Sequence, residues 1–408
     1  MTSTALSNVP VKKILRAIAS AAERWSDADF PPRVRASDRI CERLGYSLPM
    51  VDYALDRLFF DLNENALRAV VENELGSLAI LDEFTSRARR PLARAFPAGN
   101  VCVISSRTTI GVALLPALFA LCAKCDVTVK DREDALLAAF FESLYDELDE
   151  FKEAANASAW HAGDEDAPDL TAFDVVVAFG SAATLAEIGN GLRYDTRYIP
   201  YGTRASAGYI SRECTADTVR QIVPGAARDL ILYESEGCLS LHVLFFENGG
   251  ALSAVDFART LAQAVQTASV EFPPAQYQRS QTASIAHRRD AAAFRAASGR
   301  GAVFSDSEAG FALFVDPPKS EPPPFLPRTM GIIPVDGPAD ALEYLRGHGL
   351  ALEGFATAVE RDDIVRLAVD SGAVRITTFG ELQHPPLTGN HGGRPRIAEF
   401  VKWIDQTP

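Results

Sequence analysis

The sequence predicts an α/β fold with a parallel sheet and a helical lead-in. Residues 99–201 run strand, loop, helix, strand, helix, strand, the order that builds a parallel sheet. Residues 11–95 repeat their apolar side chains at helical spacing. The chain has 408 residues, well beyond the roughly 150 expected of one domain, so two or more domains are expected. A hydrophobic share of 47% and a charged share of 23% fit a soluble globular protein.

The helical region begins with Ile14, Ile18 and Ala21 on one face and breaks at Phe30-Pro31-Pro32. A second helix is expected from Asp38 to Gly45. Ser47 suits the cap of a third, which runs through Val51, Leu55, Leu58 and Phe59. A fourth spans Asn65–Leu75, with Gly76 just past its end. Ile80, Leu81 and Phe84 mark another helical stretch.

Val101–Ile104 then reads as a short strand, Ser105-Ser106-Arg107-Thr108-Thr109 as a polar loop and Ile110–Cys125 as a long apolar helix. Val127–Val129 is the next strand and ends at Lys130; the helix Ala135–Leu148 follows. After an acidic insert, Asp174–Phe179 is a continuous apolar strand of the doubly buried kind. Gly180-Ser181 closes it, a helix starts at Ala182, and Tyr198–Tyr201 is a further strand. Three strand ends thus carry groups suited to a dinucleotide. Ser105 and Ser106 offer hydroxyls and amides, Lys130 a cation, and Gly180-Ser181 a small turn at a helix N-terminus where amides can face phosphate. There is no G-x-G-x-x-G. Singly, Lys130 fits a solvated lysine and Gly180-Ser181 an ordinary turn; their order along the chain is more informative than any member.

The second half begins near Ser206. Thr215–Ala227 reads as a helix. Leu230–Tyr233 and Leu241–Phe246 read as β-prone runs joined by the polar elbow Glu234-Ser235-Glu236-Gly237, with Cys238 presented at the turn. Gly237 lets the backbone approach closely, and a thiolate there is a good nucleophile for a thioester or aldehyde carbon. On the local pattern alone, a small buried core residue is the better reading of Cys238. Helices are expected at Ala254–Thr267, Tyr277–Ala297, Ala339–Gly347 and Asp362–Asp370. Strands are expected within Ala302–Val315 and at Met330–Val335, Leu352–Ala358 and Arg375–Thr378. The tail Gly380–Pro395 is rich in Gly, Pro and His, and Ile397–Ile404 reads as an amphipathic helix.

The totals exclude several classes. A net charge of −14 argues against a nucleic-acid-binding surface. Six cysteines in a chain this long form no disulfide framework, and their spacing gives no zinc set. No secretory signal is visible, and no run approaches the ~20 apolar residues of a membrane span. A reducing, cytoplasmic setting fits best.

Several segments carry a family resemblance: NELGSLAILDEF, NVCVISSRTT, DVTVK, DVVVAFGSAATL with TRYIPYGTRASAGYIS, ESEGCLSLHVLFFE, and GELQHPPLTGNHGGRPRIAEFVKWID. Over nearly its whole length the chain resembles the acyl-CoA reductases of the bacterial bioluminescence fatty-acid reductase type, a branch of the aldehyde dehydrogenase superfamily. The resemblance implies an aldehyde-dehydrogenase-like fold of two Rossmann-like parallel-sheet domains. The expected division is a helical region 1–95, an NAD(P)-binding domain 96–205, a catalytic domain 206–372 with Cys238, and a C-terminal segment 373–408. That last segment returns to the cofactor domain or forms an oligomer interface.

The implied activity is NADPH-dependent reduction of an activated fatty acyl group to the aldehyde through an acyl-Cys238 thioester, with NADH as the other usable cofactor. Lys130 would meet the adenosine ribose or its 2′-phosphate, Gly180 and Ser181 would turn over the pyrophosphate, and Ser105 and Ser106 would line the loop beneath the cofactor. The acyl donor would be CoA, an acyl carrier or an acyl-transferase partner, and the superfamily implies a homo-oligomer. Where hydrolytic aldehyde dehydrogenases carry a general-base glutamate, this chain reads Ile199-Pro200-Tyr201-Gly202-Thr203-Arg204, with no acid. That favours reduction of an acyl group over oxidation of an aldehyde. Relatives usually have an Ala-Gly-Asn-type segment where this chain has Ser105–Thr109, so Arg107 would replace a neutral amide, or Ser106 or Thr108 would supply the donor. Glu234 or Glu236 could act as a base, but each fits a solvated elbow residue better, and His242 fits a structural role. Two alternatives stay open. One is an acyl-phosphate reductase, which Arg107 and Arg204 would suit. The other is a non-catalytic partner subunit that retains the fold.

Overall fold

A computed structural model describes residues 3–86, 92–106, 109–131, 135–161, 164–165, 167–317, 320, 322 and 325–407. The chain divides into two compact units. Met1–Leu44, Val51–Thr203 and Pro386–Pro408 form the first, and Gly45–Met50 with Arg204–Pro385 form the second. Among the described residues, no helix is long and apolar enough to cross a membrane.

The first unit opens with α1 (Val11–Ser26), which buries Ile14, Leu15, Ile18, Ala22 and Trp25 along one face. α2 (Pro31–Leu44) starts at the two prolines where a break was expected. Proline suits a first helical turn, because its missing N–H has no helical partner there. α3 (Leu48–Phe60) follows. α4 (Glu64–Leu75) is capped by Asn63, which accepts from the Ala66 amide at 3.0 Å, and ends at Gly76 with a left-handed φ of 92°. Leu92–Pro97, which begins inside the region 11–95 expected to be helical, is a strand, β1.

The parallel sheet is built from β2 (Asn100–Ile104), β3 (Asp126–Lys130), β4 (Ala155–Ser158), β5 (Val175–Phe179) and β6 (Arg197–Tyr201). Between them lie α5 (Leu114–Cys122), α6 (Leu136–Glu147), the single turn α7 (Phe151–Ala154) and α8 (Ala182–Asn190). The strand order is β4-β3-β2-β5-β6, with every pair parallel. The chain leaves β2 on one side for β3 and β4, then returns to its other side for β5 and β6. The order therefore reverses between β2 and β5, the place where open α/β sheets bind ligands at their carboxyl edge. Trp25, Phe59 and Phe140 pack with ring centroids 5.1 to 5.6 Å apart and fix α1 and α3 against α6.

The second unit carries β7 (Ala205–Ile210), α9 (Ala216–Ile231), β8 (Leu241–Glu247), α10 (Ala254–Glu271), α11 (Arg279–Ala297), β9 (Ala302–Asp306) and β10 (Phe311–Val315). β11 (Thr329–Val335), α12 (Pro338–Gly347), β12 (Leu352–Thr357), α13 (Asp362–Asp370) and β13 (Arg375–Thr377) complete it. Its sheet runs β13-β12-β7-β8-β11-β10-β9, parallel except for the β9–β10 pair. β7 is buried along all six residues, yet its Ala-Ser-Ala-Gly run lacks the β-branched side chains that mark a strand. Gly208 is there for space: a Cβ would lie 2.6 Å from the Phe379 ring.

Leu230–Tyr233, expected as a strand, is the end of α9 and the turn after it. Val219, Val223, Ala226, Ala227 and Leu230 keep one helical face buried through that point. Asp229 on this helix is fully buried and accepts from the Gly380 amide at 2.6 Å and the Leu382 amide at 3.1 Å. Burial pushes its carboxyl up to about 7, against the pull of those amides. The folded protein therefore holds this proton more tightly than the unfolded chain. Its contribution is fully present below the usual carboxylate pKa and is lost as pH rises through 7. Three units at ~1.4 kcal/mol each make this about 4 kcal/mol. In urea titrations from pH 4 to pH 7, wild type should lose stability relative to Asp229→Asn. A difference that does not change with pH would contradict the assignment.

Ile397–Ile404, expected as a helix, is instead a 3₁₀ turn, Ala398–Phe400, running into β14 (Val401–Gln406). β14 pairs antiparallel with β1, Leu92 opposite Gln406 and Pro97 opposite Val401. Each of these strands owes its conformation to the other, and neither carries a strong local signal.

Candidate active site

Cys238 sits between α9 and β8 in the second unit. The approach to it is bent sharply: Tyr233, Glu234 and Ser235 take left-handed φ values of 55°, 56° and 58°. Each such non-glycine residue costs roughly 1–2 kcal/mol. A buried ion pair holds the bend. Glu234 accepts from Arg328 Nε at 2.8 Å and Nη2 at 2.6 Å, and from the Tyr277 hydroxyl at 2.7 Å. Arg328 is itself fully buried, and its other donors reach Ser269 Oγ at 3.2 Å and the Phe272 carbonyl at 2.9 Å. Glu236 meets the Tyr46 hydroxyl at 3.3 Å and Gln281 Nε2 at 3.1 Å.

Beneath Cys238 lies Ser206 on β7. Its Oγ donates to the Cys238 carbonyl at 2.7 Å and accepts from the Gly354 amide at 2.9 Å. Its own amide donates to His242 Nδ1 at 3.3 Å. Both neighbouring strands bulge at this residue. On β12, Glu353 and Gly354 fall in the register shift between Leu352 and Phe355. On β8, His242 falls in the shift between the partners of Ser206 and Ala207. Bulges re-aim side chains beside active sites, and here they bring Glu353, Ser206 and the cysteine turn together.

His242 is buried, and burial pushes it down to about 4. Nδ1 accepts from Ser206, so Nε2 carries the proton and donates to the Ser235 carbonyl at 3.1 Å. A neutral imidazole engaged at both nitrogens is a brace rather than a base. Gln383 adds a further brace, donating from Nε2 to Ser240 Oγ at 2.8 Å.

Among the six cysteines, Cys238 alone is exposed; Cys41 is half-buried and the other four are buried. The thiol is nonetheless pushed up to about 12, first by the protein packed around it and then by the Glu353 carboxylate. The amides of Cys238 and Leu239 and the Arg204 guanidinium oppose that rise. The resting residue is thus a neutral thiol at pH 7 and gives up its proton as it attacks. Alkylation of Cys238 by iodoacetamide, followed by intact mass, should quicken about tenfold per pH unit from 7 to 10 without a plateau. A plateau near pH 7 would show a thiolate already formed.

In the first unit, the sequence-predicted cofactor residues all lie at the carboxyl edge of the parallel sheet. Ile104, the residue before Ser105 and Ser106, pairs with Lys130 on β3 and with Ala178 on β5. Ser181 caps α8 by accepting from the Thr184 amide at 3.2 Å, and the first turn of that helix is exposed. Lys130 Nζ lies 5.9 Å from the Trp160 ring centroid. At the end of β6, Tyr201 stacks on Phe179 and His391 with centroids 4.9 and 4.4 Å away.

Residues 6–403 match the family Acyl-CoA reductase (LuxC). The chain belongs to the acyl-CoA reductase family. The reductase is an oxidoreductase of the class that takes an acyl-CoA to the aldehyde. No curated relative matches it. It is similar in structure to the NAD-dependent benzaldehyde dehydrogenase of Corynebacterium glutamicum, at 14% identity over 98% of this chain and 86% of that one, TM-score 0.69. It is also similar to the glyceraldehyde-3-phosphate dehydrogenase GapN of Methanocaldococcus jannaschii complexed with NADP, at 10% identity over 98% and 90%, TM-score 0.70. A third such structure is the gamma-glutamyl-gamma-aminobutyraldehyde dehydrogenase of Burkholderia cenocepacia, at 13% identity over 98% and 84%, TM-score 0.72. The reductase therefore has the aldehyde-dehydrogenase fold expected from the resemblance.

The reductase departs from its sequence reading at the elbow. Glu234 is neither solvated nor a base; it is the buried partner of Arg328, which carried no signal in the sequence. Glu236 is half-buried and engaged with Tyr46 and Gln281. Ser206 and Glu353 were missed as well, because only strand pairing brings them to Cys238. Arg107 and Thr108 lie outside the described residues.

Proposed function

We propose that this reductase carries the acyl group as a thioester on Cys238 and uses NADPH as its reductant. The observation that carries the reading is Cys238 itself, exposed where the other cysteines are buried or half-buried, on a turn braced by Ser206, His242, Arg328 and Gln383. The thiol attacks the carbonyl carbon of the acyl-CoA. Its proton passes to the departing CoA sulfur, so the exchange needs no net base. The amides of Cys238 and Leu239, which point at the sulfur, stabilise charge as it develops there.

The edge of the first sheet fits a dinucleotide. The exposed first turn of α8, with Ser181 as its cap, leaves amide donors for a pyrophosphate. Ser105, Ser106 and Gly180 line the reversal point, and Lys130 supplies a cation for the ribose or its phosphate. When bound, the nicotinamide cofactor supplies the hydride that converts the thioester to the aldehyde. An acyl carrier or an acyl-transferase partner would offer the same thioester chemistry as acyl-CoA.

Intact mass tests the reading. Wild type mixed with a fatty acyl-CoA should gain one acyl group, absent in Cys238→Ser. Adding NADPH should discharge it with release of aldehyde. An adduct that survives NADPH would overturn the cofactor assignment, and no adduct would overturn the cysteine.

A further inference from the structure

The sequence offers no acid at Ile199–Arg204, but the fold brings one in from β12. Glu353 is buried at 7% exposure in the bulge opposite Ser206. Its neighbour Gly354 is joined through Ser206 Oγ to the Cys238 carbonyl, by bonds of 2.9 and 2.7 Å. The Glu353 carboxylate also acts on the Cys238 thiol through its charge, and a carboxylate so placed is a hazard to an acyl-thioester, because it can activate water and discharge the acyl group as free acid. Arg204 answers it. The guanidinium Nε lies 3.5 Å from Glu353 Oε2, and Nη2 donates to the Gly372 carbonyl at 2.8 Å, which fixes the cation in place.

We propose that Arg204 is a positioning residue that decides the fate of the acyl group: it holds Glu353 in an ion pair and so keeps a latent thioesterase silent. This deepens the Cys238 reading and rests on it. In the silenced reaction, a water oxygen would bond to the acyl carbon while Glu353 takes the water's proton. The carbon–sulfur bond then breaks, and the sulfur recovers that proton from Glu353. The products are a carboxylic acid and the free Cys238 thiol, with no change of oxidation state. A buried carboxylate that loses a cation 3.5 Å away is a stronger base, so removing Arg204 favours this route. Keeping a positive charge at position 204 restrains it.

The experiment loads the full-length protein with a fatty acyl-CoA, removes excess donor, and follows the adduct and free fatty acid by mass spectrometry without any nicotinamide cofactor. Wild type and Arg204→Lys should hold the adduct. Arg204→Gln and Arg204→Met should lose it at least about tenfold faster with stoichiometric fatty acid, and adding Glu353→Gln should restore its lifetime. Circular dichroism screens both charge removals, so a folding defect in one does not decide the result. Wild-type persistence in both charge removals overturns the proposal. So does fast loss that Glu353→Gln fails to prevent. If wild type takes up no acyl group, the Cys238 reading falls, a result distinct from either of these.

Discussion

Replacing Cys238 with alanine is expected to cut acyl-CoA reduction by at least about a thousandfold, since in the proposed mechanism the attacking atom itself is removed. The same change should shift stability by no more than about 0.5 kcal/mol, because the residue is exposed and its backbone contacts survive. Steady-state aldehyde formation and a urea titration on the same preparation separate the two. Near-normal turnover would mean that the acyl group never rests on this cysteine. It would return Cys238 to the role of an ordinary residue on a turn. Lost activity together with lost stability would instead point to damage of the turn.

The second large effect lies beneath that turn. Arg328→Met should destabilise the protein by about 3–5 kcal/mol, because it strands the Glu234 carboxylate in the interior. The double variant Glu234→Gln/Arg328→Met should recover much of that loss, since no unpaired charge remains. The elbow would still lack its anchor. Its three left-handed residues would be free to relax, and Cys238 alkylation should change even where stability has returned. Urea midpoints for the single and double variants, with alkylation rates on each, check both parts. A single variant as stable as wild type would show that the pair contributes little.

The parallel sheet was legible because its strands are short apolar runs, each closed by a polar or glycine turn, and so were the positions of Ser105, Ser106, Lys130, Gly180 and Ser181 along one edge. The turn that presents Cys238 was legible from the polar elbow around it. The rest depended on long-range pairing. Arg328 meets Glu234 across 94 positions of sequence, and Glu353 reaches the cysteine turn only because two strands bulge at Ser206. β7 was hidden by its small residues, and β1 and β14 by their dependence on each other. In each case the signal belongs to a pair of segments, and a window along one segment does not contain it.

The double bulge at Ser206 also sets the phase of the sheet. β8 and β12 each carry one residue more than β7 at this point. Deleting His242, Glu353 or Gly354 would remove one of these bulges and straighten the strand where it now re-aims side chains toward the cysteine turn. A one-residue change of length here is therefore far more damaging than one at the exposed turn residues Ser307 and Glu308. Length at the cysteine turn is constrained as well as composition.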